Sequence, residues 1–302
     1  MEPFKDWAIL SVLVRRVWRG TLKTLAFGVN DAVWFALLYW IVIGAAVGSF
    51  VNVVAYRLPQ GLSLIWPPSA CPQCKTPLGA TENIPIFGWA ILGGKCKHCS
   101  TSISWRYPAV ELAGAVLFAG LALHFQASFT PTSLVEMSAW GFFIAVLLAL
   151  SLIDIDIMEL PSELTRAGIL VGLIFRTFYP IWATGLGNAG PPGLVDSLYG
   201  LLLGIGLFDT ISFVGEKVMG KEAMGGGDAI LAAMMGVWLG WQLLLVGLAL
   251  GFTLGAVIGV VAIATGQLKR EEPFPFGPFL ALGGVGGLLF GEILIASYLN
   301  FI

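Results

Sequence analysis

Charge is what this chain has least of. Asp, Glu, Lys and Arg make up 11% of its 302 residues, against roughly 25% in an ordinary soluble domain, and none occurs from Ala229 to Leu268. With 57% of its residues hydrophobic, the chain reads as a membrane protein. A formal net charge of −2 supplies no basic surface for nucleic acid, which excludes that class of partner. Histidine is nearly missing: His98 reads as a solvated loop residue and His124 as an interfacial aromatic. No glycine-rich turn follows a strand, so a dinucleotide-type fold is not expected. No internal repeat or low-complexity tract stands out.

A cleavable leader is not expected either. Residues 1–30 place Arg15, Arg16 and Arg19 in mid-segment, with no short apolar core ending in small residues. This segment reads as a basic amphipathic extension lying on anionic lipid.

Apolar runs fill most of the remainder. Ala32 to Tyr56 exceeds the ~20 residues that cross a bilayer, so residues 31–58 form the first span. Further runs cover about Pro108–Gln126, Ser133–Ile153, Leu164–Trp182, Leu194–Val214, Ala229–Gly240, Leu243–Gly266 and Phe276–Asn300. The uncharged stretch after Asp228 is long for one crossing and short for two at about 1.5 Å per residue. A break near Gly240-Trp-Gln242 resolves this and leaves a short sixth helix. The expected fold is an all-α polytopic membrane protein of about eight transmembrane helices, with a polar insert at 59–107 and a membrane core at 108–302. Gly44 and Gly48, then Gly251, Gly255 and Gly259, and finally Gly283 to Gly287 are read as helix-packing surfaces.

All four cysteines lie in the insert, as Cys71-Pro-Gln-Cys74 and Cys96-Lys-His-Cys99. Two close pairs presenting four thiolates are the pattern of a zinc-ribbon site for one structural Zn2+. Two disulfides would also satisfy the count, but they need an oxidising compartment. The side of the membrane therefore decides between the two readings. With the insert in the cytoplasm, Arg57, Lys75, Lys95, Lys97, Arg106, Arg166, Lys217, Lys221, Lys269 and Arg270 lie inside, and Arg176 is the one loop-side charge outside. Positive charge collects on the cytoplasmic side, so the thiols are expected to be reduced and zinc is favoured. The basic segment 1–30 falls on the outer side in this topology unless it folds back.

Chemistry is suggested by two carboxylates at the ends of apolar runs. Met224-Gly-Gly-Gly-Asp228 opens the longest uncharged stretch, where an ionisable residue is costly and marks a functional site. Its glycines allow close approach of another chain. Asp154 closes the Met137–Ile153 run on the same side, and the two read as an aspartic protease pair. Asp156 is the rival for the first position, but two residues on it points about 200° around the helix. The rival class is a proton-coupled transporter, which would scatter polar residues along several spans. Only Asp209, inside the fifth run, fits that pattern.

Ordered motifs then resemble one family. Gly48-Ser-Phe-Val-Asn-Val-Val-Ala-Tyr-Arg-Leu-Pro59, both cysteine pairs, Glu82-Asn-Ile-Pro85, Gly94-Lys-Cys96, Arg106-Tyr-Pro108, Glu111-Leu112, Ile153-Asp154, Gly225-Gly-Gly-Asp228 and Pro275-Phe-Gly-Pro-Phe279 are similar to the bacterial type IV prepilin peptidases. The resemblance covers about Gly48 to Leu282. It implies a Gly-x-Gly-Asp aspartic peptidase with Asp154 and Asp228 as the catalytic pair, cleaving basic leaders from type IV prepilins or type II secretion pseudopilins. Cleavage would take place on the cytoplasmic side of the bacterial inner membrane. It also implies N-methylation of the new terminus from S-adenosylmethionine, with Glu82, Asn83 and Arg106 as candidates to bind that donor. Pro161-Ser162 departs from the family's Pro-Asp or Pro-Asn, which weakens any role for position 162. A membrane aspartic peptidase without methyltransferase activity is the alternative.

Overall fold

The computed structural model describes residues 31–184, 192–220, 225–269 and 273–301. The expected amphipathic segment 1–30 lies outside the described residues, as do Lys221, Met224 and Arg270. Among the described residues the chain is helical, with α1 (Asp31–Arg57), α2 (Phe87–Ile91), α3 (Arg106–His124), α4 (Pro131–Ile157), α5 (Ser162–Thr184), α6 (Pro192–Met219), α7 (Gly226–Ala264) and α8 (Gly277–Phe301). All but α2 are long and apolar enough to cross a bilayer. The protein is therefore a multi-pass membrane protein.

Packing divides the chain into two compact units, one of Ala36–Val171 and one holding the rest. In the first, α1 and α3 meet through glycine. A Cβ on Gly44 would strike the Gly114 carbonyl oxygen at 2.5 Å, and one on Gly48 would strike the Val110 carbonyl oxygen at 2.7 Å. Close backbone approach of this kind holds helices together in lipid, where burial of apolar surface gives no drive. Around the ends of these helices Val51, Val54, Ala55, Val110, Ala149, Leu152 and Ile153 form a buried cluster. Helix α4 starts on Thr130, whose side chain accepts from the Ser133 N–H, with Pro131 in the first turn, a favourable start on both counts. It ends at Met158 (φ 54), whose N–H donates to the Asp154 carbonyl. Asp154 thus sits in the last turn.

In the second unit the expected break in the uncharged stretch is present. Gly240 interrupts α7 with φ 77 and ψ 170, a backbone that only glycine adopts cheaply. The contacts on either side show that the chain reverses there. Before the break, Gly236 meets Gly200 and the Ala232 backbone lies against Gly204, so this leg runs antiparallel to α6. After it, Phe252 stacks on Phe208 with ring centroids 5.7 Å apart, so the second leg runs parallel to α6. Met235 and Gly247, one on each leg, both meet the Gly283–Gly284 backbone of α8. Eight apolar runs are thus carried by seven long helices, one of them folded in two.

Two expectations change. Gly251 packs against Phe279 of α8 and Gly255 against Phe276 just ahead of it, but among the described residues Gly259 has nothing within 4 Å, and α8 begins only at Gly277. Arg176 is not a loop charge. It lies inside α5, where its Nη2 donates to Asp196 Oδ2 at 2.9 Å and its Nε approaches Ser197 Oγ at 3.4 Å. Asp196 in turn lies against Gly240, where a Cβ would collide with its carboxylate. The charge is tolerated within an apolar helix because it is paired.

Gly200→Ala is expected to lower stability by ~1–3 kcal/mol through overpacking against Gly236. Gly206→Ala, on the same helix with open space around it, should leave stability unchanged or slightly raised. Thermal unfolding in detergent compares the two, and equal midpoints would refute the close-packing account.

Candidate functional site

Between α1 and α3 the chain forms two matching turns. In the first, the Cys71 N–H donates to Thr76 O at 3.0 Å and the Lys75 N–H to Cys71 O at 3.0 Å. In the second, the Cys96 N–H donates to Thr101 O at 2.8 Å and the Ser100 N–H to Cys96 O at 2.9 Å. Lys75 and Ser100 take the same positive φ, 58 and 59. Cys74 Sγ lies 3.3 Å from Thr76 Oγ1, and Cys99 Sγ lies 3.4 Å from Thr101 Oγ1. A short internal repeat, Cys-x-x-Cys-x-Thr, therefore exists where none was expected. Thr76 and Thr101 were not singled out, although their equal offset from each pair was the available signal.

The two turns bring four sulfurs together. Cys71 and Cys99 Sγ are 3.7 Å apart, Cys74 and Cys96 Sγ 3.9 Å, and all four lie within 4.8 Å of one another. No pair is bonded as a disulfide. A tetrahedral ion with metal–sulfur bonds of ~2.3 Å has sulfur–sulfur edges of about 3.8 Å. A metal ion fits. Hydrogen bonds from the Thr101 side chain and backbone hold the Cys99 thiol down at about 6, and those of Thr76 lower Cys74 in the same way. His98 is outside the cluster, exposed, with Nε2 3.6 Å from Glu82 Oε1.

The other insert residues fall into a framework. Glu82 turns its largely buried side chain inward, accepts from the Gly79 N–H at 3.0 Å and lies 3.9 Å from Lys97 Nζ. Asn83 is exposed on the same turn. Arg106, at the start of α3, makes a bidentate pair with Asp156 at 2.6 and 2.7 Å. Glu111, buried in the second turn of α3, accepts from the Ile86 N–H at 2.6 Å. Asn52 reaches across from α1, donating to Gly48 O and Tyr107 O. His124 packs edge-on against Phe125.

The membrane carboxylates differ sharply. Asp154 is buried in the last turn of α4, whereas Asp156 is exposed and held by Arg106. In the second unit Asp228 is half-buried in the first turn of α7, its N–H donating to Gly225 O at 3.1 Å. Asp209 is exposed on α6. Thr165, at the start of α5, is buried with its hydroxyl donating to Ser162 O.

Two family models match this chain: the bacterial peptidase A24 N-terminal domain over residues 42–125 and the type IV leader peptidase family over residues 141–260. The prepilin leader peptidase/N-methyltransferase of Stutzerimonas stutzeri is 37% identical over 284 residues, covering 86% of this chain and 93% of that protein. The chain belongs to the type IV leader peptidase family. Proteins of the same name from Pseudomonas aeruginosa and Aeromonas salmonicida are 36% and 34% identical, covering 88% and 89% of this chain and 94% and 95% of their own lengths. No solved structure matches significantly. The first family model spans α3, both cysteine turns and most of α1, and the second spans Asp154 and Asp228.

In protein stripped of metal under conditions where the insert keeps its fold, checked by unchanged limited proteolysis, an order of thiol reactivity follows. Cys99 is exposed and Thr101 lowers its thiol, whereas Cys71 and Cys96 are buried. Alkylation followed by peptide mass mapping should label Cys99 first, with a rate that declines as pH falls through about 6. Labelling of Cys71 or Cys96 ahead of Cys99 would contradict this geometry.

Proposed function

We propose that this protein removes basic leader peptides from type IV prepilins or type II secretion pseudopilins and N-methylates the residue exposed. The observation that carries the reading is 37% identity to a prepilin leader peptidase/N-methyltransferase over 93% of that relative. Asp154 and Asp228 are the proposed catalytic pair. Asp154 is supported over Asp156 by its burial, since Asp156 is already committed to Arg106. Two long helices, α5 and α6, separate Asp154 from Asp228 along the chain, so two crossings return Asp228 to the side that Asp154 left. By the distribution of Lys and Arg that side is the cytoplasmic face of the inner membrane.

Two carboxyls that share a site hold one proton between them. The ionised member takes a proton from water as it attacks the scissile carbonyl. The protonated member donates to the carbonyl oxygen and later to the leaving amine. The new terminal amine is the methyl acceptor, and S-adenosylmethionine is the proposed donor, supplying an electrophilic methyl group. Among the candidates for binding it, Glu82 and Arg106 already carry structural contacts, which leaves Asn83 as the one on an exposed turn. The four cysteines are proposed to hold Zn2+, whose binding free energy becomes folding free energy for the insert.

Asp154→Asn and Asp228→Asn should each reduce leader cleavage by roughly 10²-fold or more, as expected for loss of an acid or base, with the protein still folded in the membrane. Asp156→Asn should retain substantial activity. The assay is purified protein in detergent with a prepilin and labelled S-adenosylmethionine; full cleavage by either of the first two variants would refute the pair. Cys71→Ser or Cys96→Ser should lose zinc and impair methylation before cleavage. Active protein found free of zinc by metal analysis would overturn the zinc assignment.

A further inference from the structure

The polar insert carries large apolar side chains that are exposed among the described residues. Ile65 is 89% exposed, Trp66 73%, Trp105 74%, Phe87 65% and Ile91 78%. These residues lie outside the spans, where a water-facing surface would not ordinarily group them. The segments that carry them are tied by hydrogen bonds near the ends of α1 and α3.

Ser63 is bound back to α1. The Arg57 guanidinium donates through Nη1 to Ser63 O at 3.0 Å, and the Leu62 N–H donates to Arg57 O at 3.0 Å. The Ser63 hydroxyl oxygen then accepts from the N–H groups of Ile65 and Trp66. Those two side chains are thereby fixed a few residues from the last turn of the first span. Trp105 directly precedes α3, and the Arg106 N–H donates to Ser104 Oγ. Phe87 follows Ile86, whose N–H is held at 2.6 Å by Glu111 in the second turn of α3. Along the single turn of α2, Phe87 and Ile91 are four residues apart and share one face, while Gly88 is buried. Three independent ties therefore hold the segments that carry the exposed groups close to the ends of α1 and α3.

We propose that Ile65, Trp66, Phe87, Ile91 and Trp105 seat the insert in the lipid headgroup layer, so that it lies along the membrane rather than projecting into water. The occupant of this surface is phospholipid. Tryptophan favours that layer, with an apolar ring and a polar N–H, and Arg57 at the end of α1, whose guanidinium meets a neutral carbonyl, suits anionic headgroups. The two cysteine turns carry exposed Gln73, Lys75, Lys97 and His98, polar groups that this seating leaves in water.

The test uses the full chain reconstituted in liposomes of phosphatidylethanolamine and phosphatidylglycerol, with p-benzoylphenylalanine replacing Trp66, Phe87 or Trp105 one at a time. Exposed Gln73, between two cysteines, is the comparison site. After irradiation, mass spectrometry should find phospholipid adducts at the first three positions several-fold above Gln73. Adducts no higher than at Gln73, or adducts to a second copy of the chain in place of lipid, would overturn the proposal. To guard against variants that fail to fold, hydroxyl-radical oxidation is also measured on the unsubstituted protein in lipid nanodiscs. Trp66 and Trp105 should resist it, and oxidation of both as fast as a water-exposed tryptophan would overturn the proposal equally.

Discussion

Backbone contact at glycine is the constraint on which the rest of the structure depends. Lipid tails are as apolar as leucine, so two helices gain little by hiding apolar side chains from them. What they gain is van der Waals contact, which grows as the backbones close in. Gly44 against Gly114, Gly200 against Gly236 and Gly283 against Gly247 bring main chains within reach of each other. Each such contact also fixes a register, because sliding by one residue would put a side chain where only hydrogen fits. In the second unit the register of α6 against the first leg of α7 sets the level at which Gly226 and Asp228 stand beside α6. The carboxylate's depth is thus inherited from glycine packing.

The reversal at Gly240 shows how an apolar bundle tolerates a break. Interrupting a helix frees backbone N–H and C=O groups that lipid cannot satisfy, so breaks occur where protein surrounds them. Here Asp196 lies against Gly240 and is itself paired with Arg176, while the Ser197 hydroxyl, fully buried, donates to Val237 O at 2.7 Å. A carboxylate, a guanidinium and a hydroxyl are thus gathered where the helix turns back. Each would be expensive alone, and together they satisfy one another and the main chain near the bend. A side chain at position 240 would both require a strained φ and displace the carboxylate.

Much of this was legible because it was written in composition and spacing. Long charge-free runs gave the membrane helices, and the tension between the length of the Ala229–Leu268 stretch and a single crossing located the bend to Gly240. Paired cysteines gave the thiol cluster. Arg176 was misread as a loop charge because its partner, Asp196, is 20 residues away and visible only once two helices pack. Gly259 was misread because spacing alone does not say where the neighbouring helix ends. The contributions of Thr76 and Thr101 were legible in principle, since each follows its cysteine pair at the same offset, but a four-residue motif was read where a six-residue one was present. The choice between Asp154 and Asp156 could be framed from helical angle, and the argument gains from Arg106, a tertiary partner 50 residues distant that no local pattern announces.

A small insert of about 50 residues has too little apolar interior to hold itself together. Its few buried side chains, among them Cys71 and Cys96, belong to the thiol cluster, so any metal bound there supplies cohesion that a core otherwise would. Cohesion is not position, however, and the cysteine turns make no claim on the helices that flank them. Position comes from the Arg57–Ser63, Ile86–Glu111 and Arg106–Asp156 contacts, which bind the insert's margins to the ends of α1, α3 and α4. Two of these use a charged side chain that ends or begins a span, where charge must lie near water in any case. The same residues that mark the limits of the membrane helices therefore also orient what lies between them, and the Arg106–Asp156 pair does so one helical turn or less from Asp154.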